Sequence, residues 1–326
     1  MMKPHIFVTR KLPGRVLDSL ISECTIDTWE EEDVPPPHPI LIERARNADG
    51  LLCLLTDTID KAVLDAAKKL VVISNYAVGF DNIDLVSATS RRIPVGNTPD
   101  VLTETTADCA FALLMSAARR IVEGVDYARL GNWRSWCPTL LLGCDVYGAT
   151  LGIVGMGRIG RAMARRARGF DMKVVFHKPS CPVGEEIEGA RSVTFEEVIS
   201  ASDFLSLHVP LTNDTCRLID RAVFSQMKST ATLINTSRGA VVDHAALRDA
   251  LEEGQIGYAA LDVTDPEPLP SDHALYNLKN CLIVPHLGSA SIATRTKMAE
   301  MAAGNLVAGL RGERLPHCVN PKVYDG

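Results

Sequence analysis

The stretch Thr150 to Gly160, TLGIVGMGRIG, constrains this chain more than any other. An apolar run, Leu151 to Val154, meets Gly155-x-Gly157-x-x-Gly160, and helix-forming sequence follows from Arg161 to Arg168. Strand, glycine turn and helix N-terminus stand in the order that a dinucleotide pyrophosphate requires. Gly155 permits a tight turn, Gly157 lets backbone N–H groups approach phosphates, and Gly160 lets the helix pack closely on the strand. Such a turn alone is common; the strand before it and the helix after it turn it into a cofactor expectation.

The rest of the chain has the matching rhythm. Strand patterns at His5 to Thr9, Cys24 to Trp29, Gly50 to Leu55 and Val71 to Asn75 alternate with helix patterns at Gly14 to Ile21, Ile40 to Asn47 and Lys61 to Ala67. Val101 to Ile121 reads as a long apolar helix, started by Thr98-Pro99-Asp100. Beyond the glycine turn come strands at Lys173 to His177, Phe204 to Val209, Thr232 to Asn235, Tyr258 to Asp262 and Leu282 to Val284. Helices at Phe195 to Ser200 and Ala245 to Leu251 intervene, and Ser291 to Leu310 forms a last long helix. This alternation predicts an α/β protein with parallel sheets covered by helices on both faces. Two doubly wound domains are expected. A Rossmann dinucleotide-binding domain, residues 101–290, is inserted into a smaller flavodoxin-like substrate domain made of residues 1–100 and 291–326. Ligands are expected in the cleft, at the carboxyl ends of strands.

Composition excludes several classes. The 326 residues are 46% hydrophobic, enough for two cores, and 34 Lys and Arg stand against 40 Asp and Glu, a net charge of −6. That balance argues against a nucleic-acid surface, and the densest basic run, Arg161 to Arg168, reads as a solvated helix face. Nine scattered cysteines without a C-x-x-C pair read as reduced thiols in a reducing compartment, not as a disulfide or zinc framework. The absence of a signal-type block and of any span of about 20 apolar residues points to a cytoplasmic, non-membrane protein.

Three segments carry candidate chemistry, each just past an apolar strand. In Asn235-Thr236-Ser237-Arg238-Gly239, Arg238 is either a planar fork for a substrate carboxylate or a surface arginine over the next helix. In Asp262 to Pro268, prolines on both sides of Glu267 mount one carboxylate rigidly. In Val284-Pro285-His286-Leu287-Gly288-Ser289 a histidine ends the last strand. Each alone has a bland structural reading; together they make an acid/base site for a carboxylate substrate.

With those residues in view, the chain resembles the D-isomer-specific 2-hydroxyacid dehydrogenases over essentially its whole length. The likeness rests on Asn75 to Asp84, Gly155 to Gly160, Asn235 to Gly239, Leu261 to Pro268 and Pro285 to Ser289. Within the family it is most similar to the glyoxylate/hydroxypyruvate reductases, through Asn97 to Leu102 and Trp133-x-x-Trp136-x-Pro138. The resemblance implies Arg238, Glu267 and His286 as catalytic residues. It implies substrate contacts by the Val78 and Gly79 backbone and by Arg238, His286, Ser289 and Trp136. Cofactor contacts are implied for Thr106, Gly155, Gly157, Arg158, Ile159, Gly160, Val209, Pro210, Thr215, Thr236, Arg238, Asp262, His286 and Gly288. Asp262 would lie beside the nicotinamide carboxamide. A homodimer follows too, with Trp136 either reaching the partner's pocket or packing at the interface. The implied reaction is hydride transfer to a small 2-oxoacid, with His286 giving the proton and Glu267 favouring the protonated imidazole. No metal is called for.

One region departs from the pattern for NAD. Such sites carry a carboxylate after the second strand, to bind the ribose diol; here the sequence reads Val174-Val175-Phe176-His177-Lys178-Pro179-Ser180. His177, Lys178 and Ser180 suit a 2′-phosphate, although Pro179 stands where related NADPH users have an arginine. NADPH is therefore expected over NADH, with dual use open. Other D-2-hydroxyacid or phosphite dehydrogenases remain alternatives. So does a corepressor-type NAD(H)-sensing protein, disfavoured because the chain stops at Gly326, soon after its last helix, without an added tail.

Overall fold

Strands buried on both faces must be apolar at successive positions, and those of this chain are. The computed structural model describes residues 3–325; Met1, Met2 and Gly326, the tips of the expected end segments, lie outside the described residues. The chain divides into two compact units, one of Met1–Leu102 with Ser291–Gly326, the other of Thr103–Ala290.

The first unit begins with β1 (His5–Val8), α1 (Val16–Leu20), β2 (Thr25–Thr28), α2 (His38–Ala45), β3 (Gly50–Leu54), α3 (Lys61–Ala66), β4 (Val72–Tyr76), α4 (Leu85–Ser90) and β5 (Val95–Gly96). These strands form one parallel sheet in the order β2-β1-β3-β4-β5, the flavodoxin-like winding. Alternate side chains serve its two faces. Phe7, Leu51, Cys53 and Ile73 pack with Leu41, Val63 and Leu64, while Ile6, Val8, Leu52 and Val72 point the other way.

The second unit holds α5 (Thr103–Ala118), α6 (Ile121–Arg129), β6 (Thr150–Val154), α7 (Arg158–Arg168), β7 (Lys173–His177), β8 (Glu186–Ile187), β9 (Ala190–Ser192), α8 (Phe195–Ala201), β10 (Phe204–Leu207), α9 (Arg221–Phe224), β11 (Thr232–Asn235), α10 (His244–Glu252), β12 (Tyr258–Leu261) and β13 (Cys281–Ile283). Its sheet runs β13-β12-β11-β10-β6-β7-β9-β8. The winding leaves β6 in one direction through β7 and in the other through β10. A topological switch point therefore lies at the carboxyl ends of β6 and β10, where doubly wound sheets bind ligands. The last helix, α11 (Ile292–Leu310), belongs to the first unit, where Met298, Ala299, Ala302 and Leu306 cover the face of Ile6, Val8, Leu52 and Val72.

Several expectations need correction. The helix expected over 101–121 is shorter: Asp100 has φ +69° and Arg120 has φ +50°, so a left-handed residue bars the helical path at either side. A separate helix, α6, follows. The second sheet is not wholly parallel, because β8 and β9 form an antiparallel pair at its edge. Strands two and three residues long carry too little alternation to register in sequence. The run Arg161 to Arg168 is more than a solvated face. Arg165 pairs with Glu104 at 2.6 Å, and Arg166 with Glu104 at 2.8 Å and Asp108 at 2.7 Å, tying α7 to α5.

All nine cysteines are free thiols. Among the described residues, no helix is long and apolar enough to cross a membrane. Nor, among them, is any group of three His, Cys, Asp or Glu placed to hold a metal.

Candidate active site

The glycine turn is built as close approach demands. Gly155 has φ +100°, and a Cβ there would lie 2.5 Å from the His208 carbonyl oxygen, on the loop after β10. A Cβ on Gly160 would lie 2.3 Å from Gly155 O, so the first turn of α7 rests directly on the strand end. Gly157 is the opposite case, since a Cβ there would meet nothing within 4 Å. It is also the N-cap of α7 and supplies no side-chain cap, whereas Asp60, Asp84, Thr194, Asp220, Asp243 and Ser291 cap α3, α4, α8, α9, α10 and α11. Gly157 thus offers the first turn of α7, at Arg158 and Ile159, no side chain of its own, and leaves open space where a Cβ would stand. An anion fits there. Thr236, just past β11, adds a buried hydroxyl with no hydrogen-bond partner among the described residues. The site has the shape and the unmet polarity that a bound dinucleotide would satisfy.

Arg238, Glu267 and His286 follow β11, β12 and β13, three adjacent parallel strands, which lie about 4.8 Å apart. His286 Nδ1 meets Glu267 Oε1 at 2.6 Å, a charge-assisted pair when the imidazole is protonated. The second Glu267 oxygen accepts from the Thr264 N–H at 3.4 Å. Gly239 brings the neighbouring loop in, because a Cβ there would fall 2.0 Å from the Thr264 backbone. The loops carrying Arg238 and Glu267 are therefore packed backbone to backbone.

Two residues organise this cluster in ways the sequence alone does not assign. Asn235, wholly buried, donates from Nδ2 to Arg238 O at 2.8 Å and accepts from the Ser237 N–H and hydroxyl at 3.0 and 2.8 Å. Asp262, with its expected place beside a nicotinamide carboxamide, also braces the chain. Its carboxylate accepts from the Leu287 N–H at 2.5 Å and the Gly288 N–H at 2.8 Å, while Asp262 O accepts from the His286 N–H at 3.0 Å. Burial pushes the Asp262 carboxyl up from its ordinary value, against the pull of those backbone donors and of His286. This bracket holds His286 at φ +52°, a left-handed conformation that histidine rarely adopts and that backbone bonds must maintain. A polar residue ending an apolar strand is the sequence signal for both.

Thr106 on α5 is buried near Gly288; a Cβ on that glycine would lie 3.4 Å from Thr106 Cγ2 and 3.0 Å from Asp262 Oδ2. Val209 and Pro210 line the loop after β10, which Thr215 ties by accepting from the Thr212 N–H at 2.8 Å and donating to Pro210 O at 2.6 Å. His177 is turned aside, its Nδ1 3.2 Å from Val193 O and its ring edge-on to Phe195. Lys178 and Ser180 continue from β7 with no side-chain partner among the described residues. Ser289 sits in the turn after Gly288. Val78 and Gly79 form the loop after β4 in the first unit. Trp136 stands 80% exposed on the loop after α6 and joins none of the three catalytic candidates by hydrogen bond or ring contact.

Residues 111–288 match the family of the D-isomer specific 2-hydroxyacid dehydrogenase, NAD binding domain. The chain is 52% identical over 324 residues to a glyoxylate reductase of Korarchaeum cryptofilum, covering 99% of this chain and 97% of that one. Among solved structures, a protein of Thermus thermophilus superposes with a TM-score of 0.90 at 47% identity, over 97% of this chain and 99% of its own. An NADPH-dependent glyoxylate/hydroxypyruvate reductase of Sinorhizobium meliloti, solved with NADP and malonate, gives 0.87 at 32% identity over 98% of both chains. With a doubly wound dinucleotide fold and an acid/base cluster at its strand ends, the chain belongs to the D-isomer-specific 2-hydroxyacid dehydrogenases. It is an enzyme of the glyoxylate reductase type within them.

Proposed function

We propose that the protein reduces glyoxylate, and with it hydroxypyruvate, to the corresponding 2-hydroxy acid with NADPH. The observation that carries this reading is the His286–Glu267 pair at 2.6 Å, on the loops after β13 and β12, with Arg238 on the loop after β11, the next strand of the same sheet. A reduced nicotinamide held at the glycine turn would supply the hydride for the carbonyl carbon. His286 gives the proton to the carbonyl oxygen from Nε2, its Nδ1 being bonded to Glu267, and the products are the hydroxy acid and the oxidised cofactor. Arg238 orients the carboxylate and polarises the carbonyl, aided by Ser289. In the first unit we assign the Val78 and Gly79 N–H groups as backbone donors for a substrate carboxylate. In the reverse direction His286 is the base. The glycine turn, Arg158, Ile159 and Thr236 would hold the dinucleotide.

The test is a steady-state comparison of glyoxylate, hydroxypyruvate, pyruvate and phosphite with both cofactors. Glyoxylate and NADPH are expected to give the highest kcat/KM. A clear preference for pyruvate or phosphite moves the enzyme to another member of its family, and absence of turnover with all four removes the reading.

Glu267 has a predicted kinetic signature. In Glu267→Gln the His286 imidazole loses the carboxylate that orients it through Nδ1, and a charge-assisted hydrogen bond worth roughly 1.5–3 kcal/mol is weakened, so kcat for glyoxylate reduction should fall by about tenfold. An unchanged kcat, measured on glyoxylate reduction, leaves Glu267 without this role.

The preference for NADPH rests on the strand end at β7, which offers Lys178 and Ser180 and no acid. Lys178→Glu puts a carboxylate against the 2′-phosphate and an acceptor near the ribose diol. One charge-assisted contact is worth roughly 1.5–3 kcal/mol and each 1.4 kcal/mol is a factor of ten, so the NADPH/NADH ratio of kcat/KM should change at least about tenfold. An unchanged ratio means that Lys178 faces solvent.

The protein also works as a homodimer in this reading. Val122, Val125, Leu130, Trp133 and Trp136 leave apolar surface exposed on α6 and the loop after it, a concentration that a monomer seldom keeps. A monomer in light scattering at assay concentration removes this part.

A further inference from the structure

The loop after β4 is gripped from behind by three donors in succession. The Thr98 N–H donates to Ala77 O at 2.9 Å. Asn97 Nδ2 donates to Val78 O at 2.8 Å, and Asn75 Nδ2 donates to Gly79 O at 2.9 Å. In a trans peptide the carbonyl of one residue and the N–H of the next point in opposite directions, and these peptides are trans. Fixing the three carbonyls therefore sets the directions of the Val78, Gly79 and Phe80 N–H groups. Among the described residues, none of these three N–H groups has a hydrogen-bond acceptor.

The two asparagines are themselves braced. Asn75 is wholly buried, and its Nδ2 also meets Asn82 Oδ1 at 3.1 Å. Asn82 Nδ2 in turn donates to Leu54 O and Asp57 O, both at 3.0 Å. The Asn97 backbone is held on both sides, donating to His317 O at 3.1 Å and accepting from Asn305 Nδ2 at 2.9 Å. Neither side chain needs to bond a loop carbonyl for the sheet to form, since the strand ladders end at Tyr76 and Gly96. A hydrogen bond to a peptide carbonyl also polarises that peptide and strengthens its N–H as a donor.

We infer that Asn97 and Asn75 are positioning residues for a carboxylate-binding loop: they hold the Val78 and Gly79 carbonyls so that the Gly79 and Phe80 N–H groups, with that of Val78, meet a small carboxylate in a fixed geometry. Phe80 thereby supplies a third backbone donor. The inference deepens the proposed function and rests on its assignment of this loop to the substrate carboxylate.

The test uses the full-length protein. Asn97→Asp keeps the side chain's size and, near pH 7.5, replaces its donor with an oxygen facing Val78 O; Asn97→Ala removes the donor without the repulsion. Because the loop would grip the carboxylate equally in ground and transition state, glyoxylate KM should rise while kcat holds. For Asn97→Asp the expected rise is about tenfold, equivalent to about 1.4 kcal/mol, with kcat within about threefold and NADPH affinity unchanged. Asn97→Ala should move KM the same way by less. A merely structural role would instead lower thermal stability and the active fraction with KM untouched, and that result overturns the inference. Calorimetric titration of oxamate, an unreactive 2-oxoacid mimic, into the cofactor-saturated protein reads the loop without turnover. Oxamate binding that weakens in Asn97→Asp supports the clamp even if glyoxylate is not turned over, a result that sinks only the reaction. Oxamate binding equal in wild type and variant overturns the clamp while the reaction stands. No oxamate binding by the wild type overturns both.

Discussion

Replacing His286 with asparagine is expected to lower turnover by about 10²–10⁴-fold, the usual contribution of a positioned general acid, while cofactor binding stays nearly intact. The position makes the experiment clean. His286 lies at φ +52°, and asparagine is the residue other than glycine that most readily accepts that conformation. The bracket that fixes the loop runs through backbone N–H groups at His286, Leu287 and Gly288 and through Asp262, all retained in the variant. The amide can still bond Glu267, but it cannot hold a transferable proton near neutral pH. Stopped-time assays of glyoxylate reduction beside a fluorescence titration of NADPH separate the two effects. A variant that turns over at near-normal rate assigns the acid to another group.

Arg238→Lys should lower kcat/KM by about 10- to 100-fold, the cost of roughly one charge-assisted hydrogen bond of 1.5–3 kcal/mol. The backbone at this position is pinned by Asn235 on one side and by the contact of Gly239 with Thr264 on the other, so the lost grip cannot be recovered by moving the loop. In the native chain Nη1 donates to Ser237 O at 2.9 Å, which orients the guanidinium plane. Lysine has a single nitrogen and cannot keep that bond and grip both carboxylate oxygens in a fixed fork. Unchanged KM and kcat would take Arg238 out of the substrate site.

The long strands and helices were legible because burial on both faces of a parallel sheet leaves near-continuous apolar runs, as in β6, β10 and β11. The ends of α5 were not, because φ +69° at Asp100 and φ +50° at Arg120 are backbone conformations that an aspartate and an arginine do not advertise. The β8–β9 pair escaped because strands of two and three residues have no period to detect. At the site, the residue types and their places after strands single out Arg238, Glu267 and His286 as candidates. The hydrogen bonds of Asn235, Asp262, Asn75 and Asn97 depend on which backbone groups lie opposite them. Asn75 and Asn97 differ from ordinary buried polar residues only in three dimensions.

The first unit is made of two stretches of chain separated by the whole of the second, and this gives the molecule an order of assembly. The sheet face of Ile6, Val8, Leu52 and Val72 is covered by Met298, Ala299, Ala302 and Leu306, and the edge strand β5 is finished by Cys318, bridged to Gly96, and by Asn320, whose Oδ1 accepts from the Val95 N–H at 2.8 Å. A ribosome delivers these partners only after the whole of the second unit. The dinucleotide unit, contiguous from Thr103 to Ala290, has all its strands in hand while the earlier sheet still waits with one oily face bare. Because chains fold domain by domain as they emerge, the earlier sheet is completed after the later one, and while the second unit is being made the face of Ile6, Val8, Leu52 and Val72 waits for α11 to close it.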